Sequence, residues 1–299
     1  MSTSNFISAN KLHKTRILLL GGTSGIGFAV ARAALEHGAS VILSSSNPEK
    51  VTNAIARLKT LYPDEPYASR IAGTACDLGK DDEAIEAEIV ALYEFATRPD
   101  LFGSGSGSGT SEGKVPINHI VFTAGAVPRT LAPTDPNVTA SYLRSLNTIR
   151  FIGGALVAKH APAYMPKPTT GLTTTPSAPS SSITYTSGAL VVRPAPGMSL
   201  GLAGAGAIEV FSRALAVDLA PHGIRVNAVA PGPVLTEMLE DIAEKGQGGR
   251  EGVLGAYARE TVLGRVGAPE DTAEAYLALM RDGFATGVLL RSDGGFTLK

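Results

Sequence analysis

Short apolar runs alternate with longer segments of helical spacing along most of the chain. Arg16–Leu20, Ser40–Ser44, Arg70–Ala75, Asn118–Phe122, Ser182–Thr186, Arg225–Val229 and Gly287–Leu290 read as strands. Gly25–His37, Pro48–Leu61, Asp81–Thr97, Val138–Tyr164, residues 201–220 and Pro269–Met280 read as helices. Several strands are near-continuous in apolar residues, as strands covered on both faces are. Repeated strand-then-helix units predict one α/β domain built on a doubly wound parallel sheet.

Two stretches break the rhythm. Residues 102–114 centre on GSGSGSGTSEG, and residues 167–181 are rich in Pro, Thr and Ser. Both are expected to be flexible insertions. Each joins a helix to the following strand, so each is expected at the amino ends of the strands, away from the ligand-binding edge. Residues 1–14 read as an N-terminal extension and residues 15–299 as the domain.

Composition removes several classes of function. A chain of 299 residues with 44% hydrophobic content has ample core for one large domain, and a net charge of −1 favours neither nucleic acid nor a membrane surface. The start, MSTSNFISANKLHKTR, has no apolar run of the signal-peptide kind. No apolar stretch is expected to approach the roughly 20 residues that span a bilayer. A cytoplasmic protein is expected. The single cysteine, Cys76, excludes an intrachain disulfide, and the five histidines show no metal-ligand spacing, so no metal is expected.

The chemistry begins at Gly21-Gly22-Thr23-Ser24-Gly25-Ile26-Gly27, which follows an apolar strand and opens a helix. Small residues there let the backbone approach a pyrophosphate, and the helix N-terminus supplies N–H donors. The next strand ends in Ser44-Ser45-Ser46-Asn47, with no acid to hold a ribose 2′-hydroxyl. Hydroxyls and an amide, with Lys50 or Arg70 adding charge, suit a 2′-phosphate, so NADP(H) is the expected cofactor.

Further segments follow in a consistent order: Asp77-Leu78, Thr123-Ala124-Gly125, IEVFSRALAVDLAPHGIRVNAVAPGPVLT over residues 208–236, Thr286-Gly287 and Asp293-Gly294-Gly295. Together with the Gly-rich turn they resemble the short-chain dehydrogenase/reductase family from about Thr15 to Phe296. The resemblance implies a Rossmann-like fold. It implies that Gly21, Thr23, Ser24, Gly25, Ile26 and Gly27 cradle the cofactor, with Ser45, Ser46 and Asn47 at the ribose phosphate. Asp77 and Leu78 are then expected at the adenine and Ala124 and Gly125 beside the cofactor. Pro231, Gly232, Val234 and Thr236 are expected to hold the nicotinamide carboxamide.

The same resemblance exposes a gap. The family carries Tyr-x-x-x-Lys, and ungapped counting from Arg213 puts Gly201 and Ala205 at those positions. No shift restores the pair: none of the eight tyrosines has a lysine four residues later, and no lysine lies between Lys167 and Lys245. Ser187 matches the family's carbonyl-polarising Ser. Arg150, in Arg150-Phe151-Ile152-Gly153, stands at the family's helical Asn position, with Asn147 one turn earlier as the alternative. Tyr185 is a candidate replacement acid or a core aromatic, and Arg193 a carboxylate binder or a loop cap.

Without the pair, an alkoxide formed at a ketone lacks its proton donor. Hydride delivery to an iminium yields a neutral amine and needs none. A conjugated carbonyl is intermediate, because an Arg or Ser can stabilise an enolate. The expected function is an unconventional NADP(H)-dependent oxidoreductase acting on a bulky specialised metabolite. The resemblance extends, more loosely, to fungal members that look like iminium reductases and guide a pericyclic cyclisation. The rival readings are a non-redox cyclase or isomerase on the same scaffold and a catalytically inactive cofactor-binding subunit. Apolar residues on more than one face of the helices at 138–164 and 201–220 point to a dimer or tetramer.

Overall fold

The computed structural model describes residues 10–102, 113–125, 131–168 and 181–299. Seven strands form one parallel sheet: β1 (Arg16–Leu20), β2 (Ser40–Ser45), β3 (Ile71–Ala75), β4 (His119–Phe122), β5 (Ser181–Thr186), β6 (Ile224–Pro231) and β7 (Leu289–Ser292), in the order β3-β2-β1-β4-β5-β6-β7. The order reverses between β1 and β4, which makes the gap beyond their carboxyl ends the crevice where such sheets bind ligands. Nine α-helices are seen among the described residues. They are α1 (Gly25–Glu36), α2 (Pro48–Leu61), α3 (Asp82–Ala96), α4 (Ala140–Asn147), α5 (Gly154–Tyr164), α6 (Ser199–Asp218), α7 (Glu237–Lys245), α8 (Gly249–Glu260) and α9 (Pro269–Arg281).

Strand periodicity divides the core in two. Leu18, Leu20, Ile42, Ile120, Phe122 and Tyr185 face the layer of α3, α5 and α6. Ile17, Leu19, Val41, Leu43 and Val121 face α1, α2 and α9. All of β1 and β6 is buried, as the apolar runs imply.

The element boundaries follow the sequence reading closely, with three differences. The expected long helix over 138–164 is interrupted by a π-helical segment, Thr148–Gly153, which carries Arg150. Widened turns of this kind recur at functional sites. Arg70 belongs to a short turn before β3 rather than to the strand. Helices α7 and α8 were not expected. Residues 103–112 and 169–180, the centres of both insertions, lie outside the described residues, as do residues 1–9.

The expectation that no apolar stretch approaches membrane-spanning length is corrected by α6. It runs for 20 residues with a mean hydropathy of 1.5 over its most apolar window. Ala205, Ile208, Leu215 and Ala216 are buried, and Ile208, Leu215 and Ala216 join the core on one face of the sheet. The outer face carries Val210 and Val217, which are 67% and 73% exposed.

Candidate functional site

The carboxyl ends of β1, β2, β4, β5 and β6 open into a cavity of about 1040 Å³, at the large end of ligand sites. Backbone shape builds its floor. Gly21 has φ +86°, and a Cβ there would come within 2.6 Å of the Ala124 nitrogen. A Cβ on Gly27 would approach the Gly21 carbonyl oxygen to 2.2 Å. Both positions need glycine, and the turn they allow brings the N-terminus of α1 to the cavity. The Gly25 amide donates to the Glu237 carboxylate at 2.7 Å, so an anionic oxygen already sits where a helix terminus binds phosphate.

At the end of β2, Ser44, Ser45, Ser46 and Lys50 line the cavity. The Ser44 hydroxyl is buried with no hydrogen-bond partner among the described residues. These donors fit an anionic dinucleotide. Among the expected cofactor residues, Gly21, Thr23, Ser24, Gly25, Ile26 and Gly27 line the wall at the Gly-rich turn. Ser45, Ser46, Leu78, Ala124 and Gly125 line it elsewhere, as do Pro231, Gly232, Val234 and Thr236.

Others are used differently. Asn47 caps α2, accepting from the Glu49 and Lys50 amides at 2.8 and 3.2 Å, and lies off the cavity wall. The Asp77 carboxylate turns onto the Gly79 amide at 2.9 Å, while its neighbours Cys76 and Leu78 face the cavity. Burial pushes the Cys76 thiol up to about 12, which makes it an inert wall. Arg70 reaches the Gly38 carbonyl rather than the ribose end.

The catalytic end is set by β5, the π segment and α6. Gly201 and Ala205 line the cavity, so the stretch of α6 that faces it presents neither a phenol nor an ammonium there. Ser187 also lines it. Its hydroxyl donates toward α6, to Glu209 Oε1 at 2.7 Å and the Ala205 carbonyl at 3.1 Å. Arg150 reaches in from the π segment and packs on Gly125, where a Cβ would meet Nη2 at 2.5 Å. Desolvation lowers the Arg150 pKa from its ordinary value, with the Tyr276 hydroxyl opposing. The charge persists, because arginine starts so far above neutrality. Among the described residues it has no carboxylate partner.

Tyr185 is corrected to a core aromatic. It is fully buried, packs against Phe122 and Phe211, and donates its hydroxyl to the Gly154 carbonyl at 2.8 Å. Burial also raises its pKa far beyond the range of a useful acid. The adjacent position, Thr186, reaches the wall instead. Arg193 pairs with Glu260, lies over the Phe296 ring and donates to the Phe296 carbonyl at 3.0 Å. It therefore ties the loop after β5 to the C-terminal segment. Asn147 donates back to the Leu143 carbonyl at 2.9 Å and does not line the cavity.

Glu209 and Glu237 were missed by sequence reasoning. Glu209 follows Gly201 and Ala205 at four-residue intervals, a spacing that puts all three on one helix side. Glu237 follows Thr236, whose side chain caps α7. Met238, Leu239 and Ile242 of that helix also line the cavity.

Fold and site define a dinucleotide-binding α/β protein. A family model described as an SDR-like Rossmann domain matches residues 8–299. The chain is 37% identical to a short-chain dehydrogenase/reductase, malC, of Malbranchea aurantiaca, over 98% of each chain. It is 35% identical to the short-chain dehydrogenase/reductase ucsE of an Acremonium species, over 96% of this chain and 97% of the other. The solved structure of the MalC reductase/Diels-Alderase superposes with a TM-score of 0.81, covering 98% of this chain and 100% of that one. The chain belongs to the short-chain dehydrogenase/reductase family, in a divergent branch with malC.

Proposed function

We propose that this protein is an NADP(H)-dependent reductase whose active site lacks the family's Tyr-Lys pair, and that it acts on an iminium or conjugated carbonyl in a bulky specialised metabolite. One observation carries the reading: Gly201 and Ala205 stand in the cavity wall where the pair is expected. A bound nicotinamide supplies hydride. The protein's own residues supply shape, Ser187 and a fixed positive charge at Arg150, but no ready acid. That set suits a carbon that needs no proton on its neighbouring atom, or an enolate that a cation can hold. A cavity of about 1040 Å³ leaves room for a multi-ring substrate beside the cofactor.

The hydroxyls of Ser44, Ser45 and Ser46, with the Lys50 ammonium, support NADP(H) over NAD(H). Calorimetric titration with both cofactors tests this preference, and equal or inverted affinities would remove it. The exposed Val210 and Val217 on α6 support a homo-oligomer formed through that face. Light scattering at micromolar concentration checks it. A cytoplasmic location remains part of the proposal.

The size of the cavity and the likeness to the MalC reductase/Diels-Alderase also support a second reading, in which the pocket shapes a cyclisation. Following NADPH absorbance while mass spectrometry tracks candidate substrates separates the two. Consumption of NADPH with product supports reduction. Product without consumption supports cyclisation alone.

A further inference from the structure

Among the described residues one phenol lines the cavity, and it comes from α8. Of the eight tyrosines, Tyr93, Tyr185 and Tyr276 are fully buried and give their hydroxyls to the Val157 carbonyl, the Gly154 carbonyl and Thr186. Tyr62 and Tyr164 bond to the carboxylates of Glu36 and Glu94. Tyr67 and Tyr142 lie off the cavity wall. Tyr257 lines it, half-buried, and its hydroxyl has no hydrogen-bond partner among the described residues.

Packing fixes which wall carries this phenol. Helix α8 is held near both ends. Arg250 grips Glu240 of α7 through two contacts at 2.6 Å, and Glu260 pairs with Arg193 of the loop after β5. Tyr257 stands three residues before Glu260, on the same side of the helix, and Glu260 also lines the cavity. The phenol therefore belongs to the wall that α8 builds with α7 and the loop after β5.

The other donors of the cavity are committed or stand where the dinucleotide fits. Thr186 gives its proton to the Phe122 carbonyl at 2.8 Å and takes one from Tyr276 at 2.6 Å, because a carbonyl can only accept. Ser187 donates to Glu209 and the Ala205 carbonyl. Arg193 commits both terminal nitrogens, to Glu260 and to the Phe296 carbonyl. Lys50 and the serines at the end of β2, with Thr23 and Ser24 in the Gly-rich turn, lie on the cofactor's side. Thr236 caps α7. Arg150 on the π segment and Tyr257 on α8 keep donors for a ligand in the remaining space.

We propose that Tyr257 is a substrate-binding residue that sets specificity: its ring covers an apolar part of the substrate, and its hydroxyl donates to a neutral acceptor oxygen on it. It approaches from α8, not from the stretch of α6 where the family's phenol is expected, so it holds the substrate rather than delivering a proton. The inference goes beyond the reductase reading and holds equally for a pocket that shapes a cyclisation.

The test uses two probes of one frame. 2,3-Dimethyl-1,4-naphthoquinone presents carbonyl oxygens at both edges, and its methyl groups block addition by nucleophiles. 2,3-Dimethylnaphthalene is the same frame without oxygens. Excess NADP+ fills the cofactor end and cannot reduce the quinone, and equilibrium dialysis reads both affinities. Tyr257→Phe keeps the ring and loses the hydroxyl. It should weaken the quinone by about threefold to tenfold, the worth of one neutral hydrogen bond, and leave the hydrocarbon unchanged. Tyr257→Ala should weaken both probes, because the ring goes too. Thermal melts confirm that both variants fold, and calorimetry should find their NADP+ affinity equal to the parent's.

An unchanged quinone-to-hydrocarbon ratio in Tyr257→Phe, binding of neither probe, or weaker NADP+ binding in that variant would overturn the assignment. None of these outcomes involves hydride transfer, so the assignment and the reductase reading fail separately. A protein that shows the Tyr257→Phe loss but never oxidises NADPH keeps the first and loses the second.

Discussion

The backbone amide of Gly25 donates a 2.7 Å hydrogen bond to the side chain of Glu237, joining the first turn of α1 to the first turn of α7. Arg57 lies 3.9 Å from the other carboxylate oxygen. The helix terminus attracts anions through its free N–H groups and its dipole, without distinguishing a carboxylate from a phosphate. A pyrophosphate that takes the Gly25 amide displaces the Glu237 side chain from it.

Replacing the competing anion should therefore strengthen cofactor binding. Glu237→Gln is expected to bind NADP(H) roughly twofold to fivefold more tightly, the scale of one charge at a helix terminus. Calorimetric titration measures it directly. Weaker binding in the variant would show that Glu237 belongs to the bound state instead.

The fold was legible because its signals are local and repeated. The apolar runs of β1 and β6 and the Gly-rich turn after β1 each carry their own physical reason. The site was legible only where backbone shape decides it. Gly21 and Gly27 are required by close approach, and the sequence displays them. Side-chain direction was harder. Tyr185 and Thr186 are neighbours, and strand alternation sends one into the core and the other to the wall. Nothing local says which. Asn47 and Asp77 carry suitable groups but spend them on a helix cap and a turn. Glu209 carried a readable signal, its spacing from the vacant pair, but its partner Ser187 comes from a different element.

Arg150 and Gly125 form a second dependent pair. The guanidinium occupies the space of a side chain at Gly125. Arg150→Ala should lower turnover by about 10²-fold, as the loss of one preorganised donor does. NADP(H) affinity and Tm should stay nearly unchanged. Arg150→Lys should recover little where the contact is bidentate. Gly125→Ala should reproduce part of the effect by pushing the guanidinium aside. If Arg150→Ala lowers Tm while activity per folded molecule survives, the residue is structural.

Restoring the family's pair gives a test of purpose. Gly201→Tyr with Ala205→Lys places a phenol and an ammonium back in the cavity wall. Both side chains would take volume from the pocket, and the lysine would bring a cation close to the Ser187–Glu209 contact. The double variant should turn over the native substrate more slowly than the parent. Faster turnover, measured as NADPH oxidation at saturating substrate, would show that the loss of the pair was incidental.

The last prediction concerns stability in acid. His119 is buried on β4, with Nδ1 2.9 Å from the Ser182 hydroxyl of β5, its register partner. Burial depresses its pKa to about 3, and the nearby Arg225 charge adds to the effect. In the unfolded chain the imidazole titrates near its ordinary value of about 6.5. Between those values the unfolded state binds a proton that the folded state refuses. Folding is therefore unaffected by this group above about pH 6.5 and progressively opposed below it, at roughly 1.4 kcal/mol per pH unit. By about pH 5 the loss should reach about 2 kcal/mol. His119→Asn can keep a polar contact to Ser182 without titrating. The variant has its own cost from the smaller ring, but that cost does not change with pH. Urea denaturation at about pH 7.5 and about pH 5 should show the parent losing about 2 kcal/mol more than the variant. Other titrating groups are common to both proteins and cancel in that difference. Parallel losses would mean that His119 takes up its proton without unfolding the strand pair.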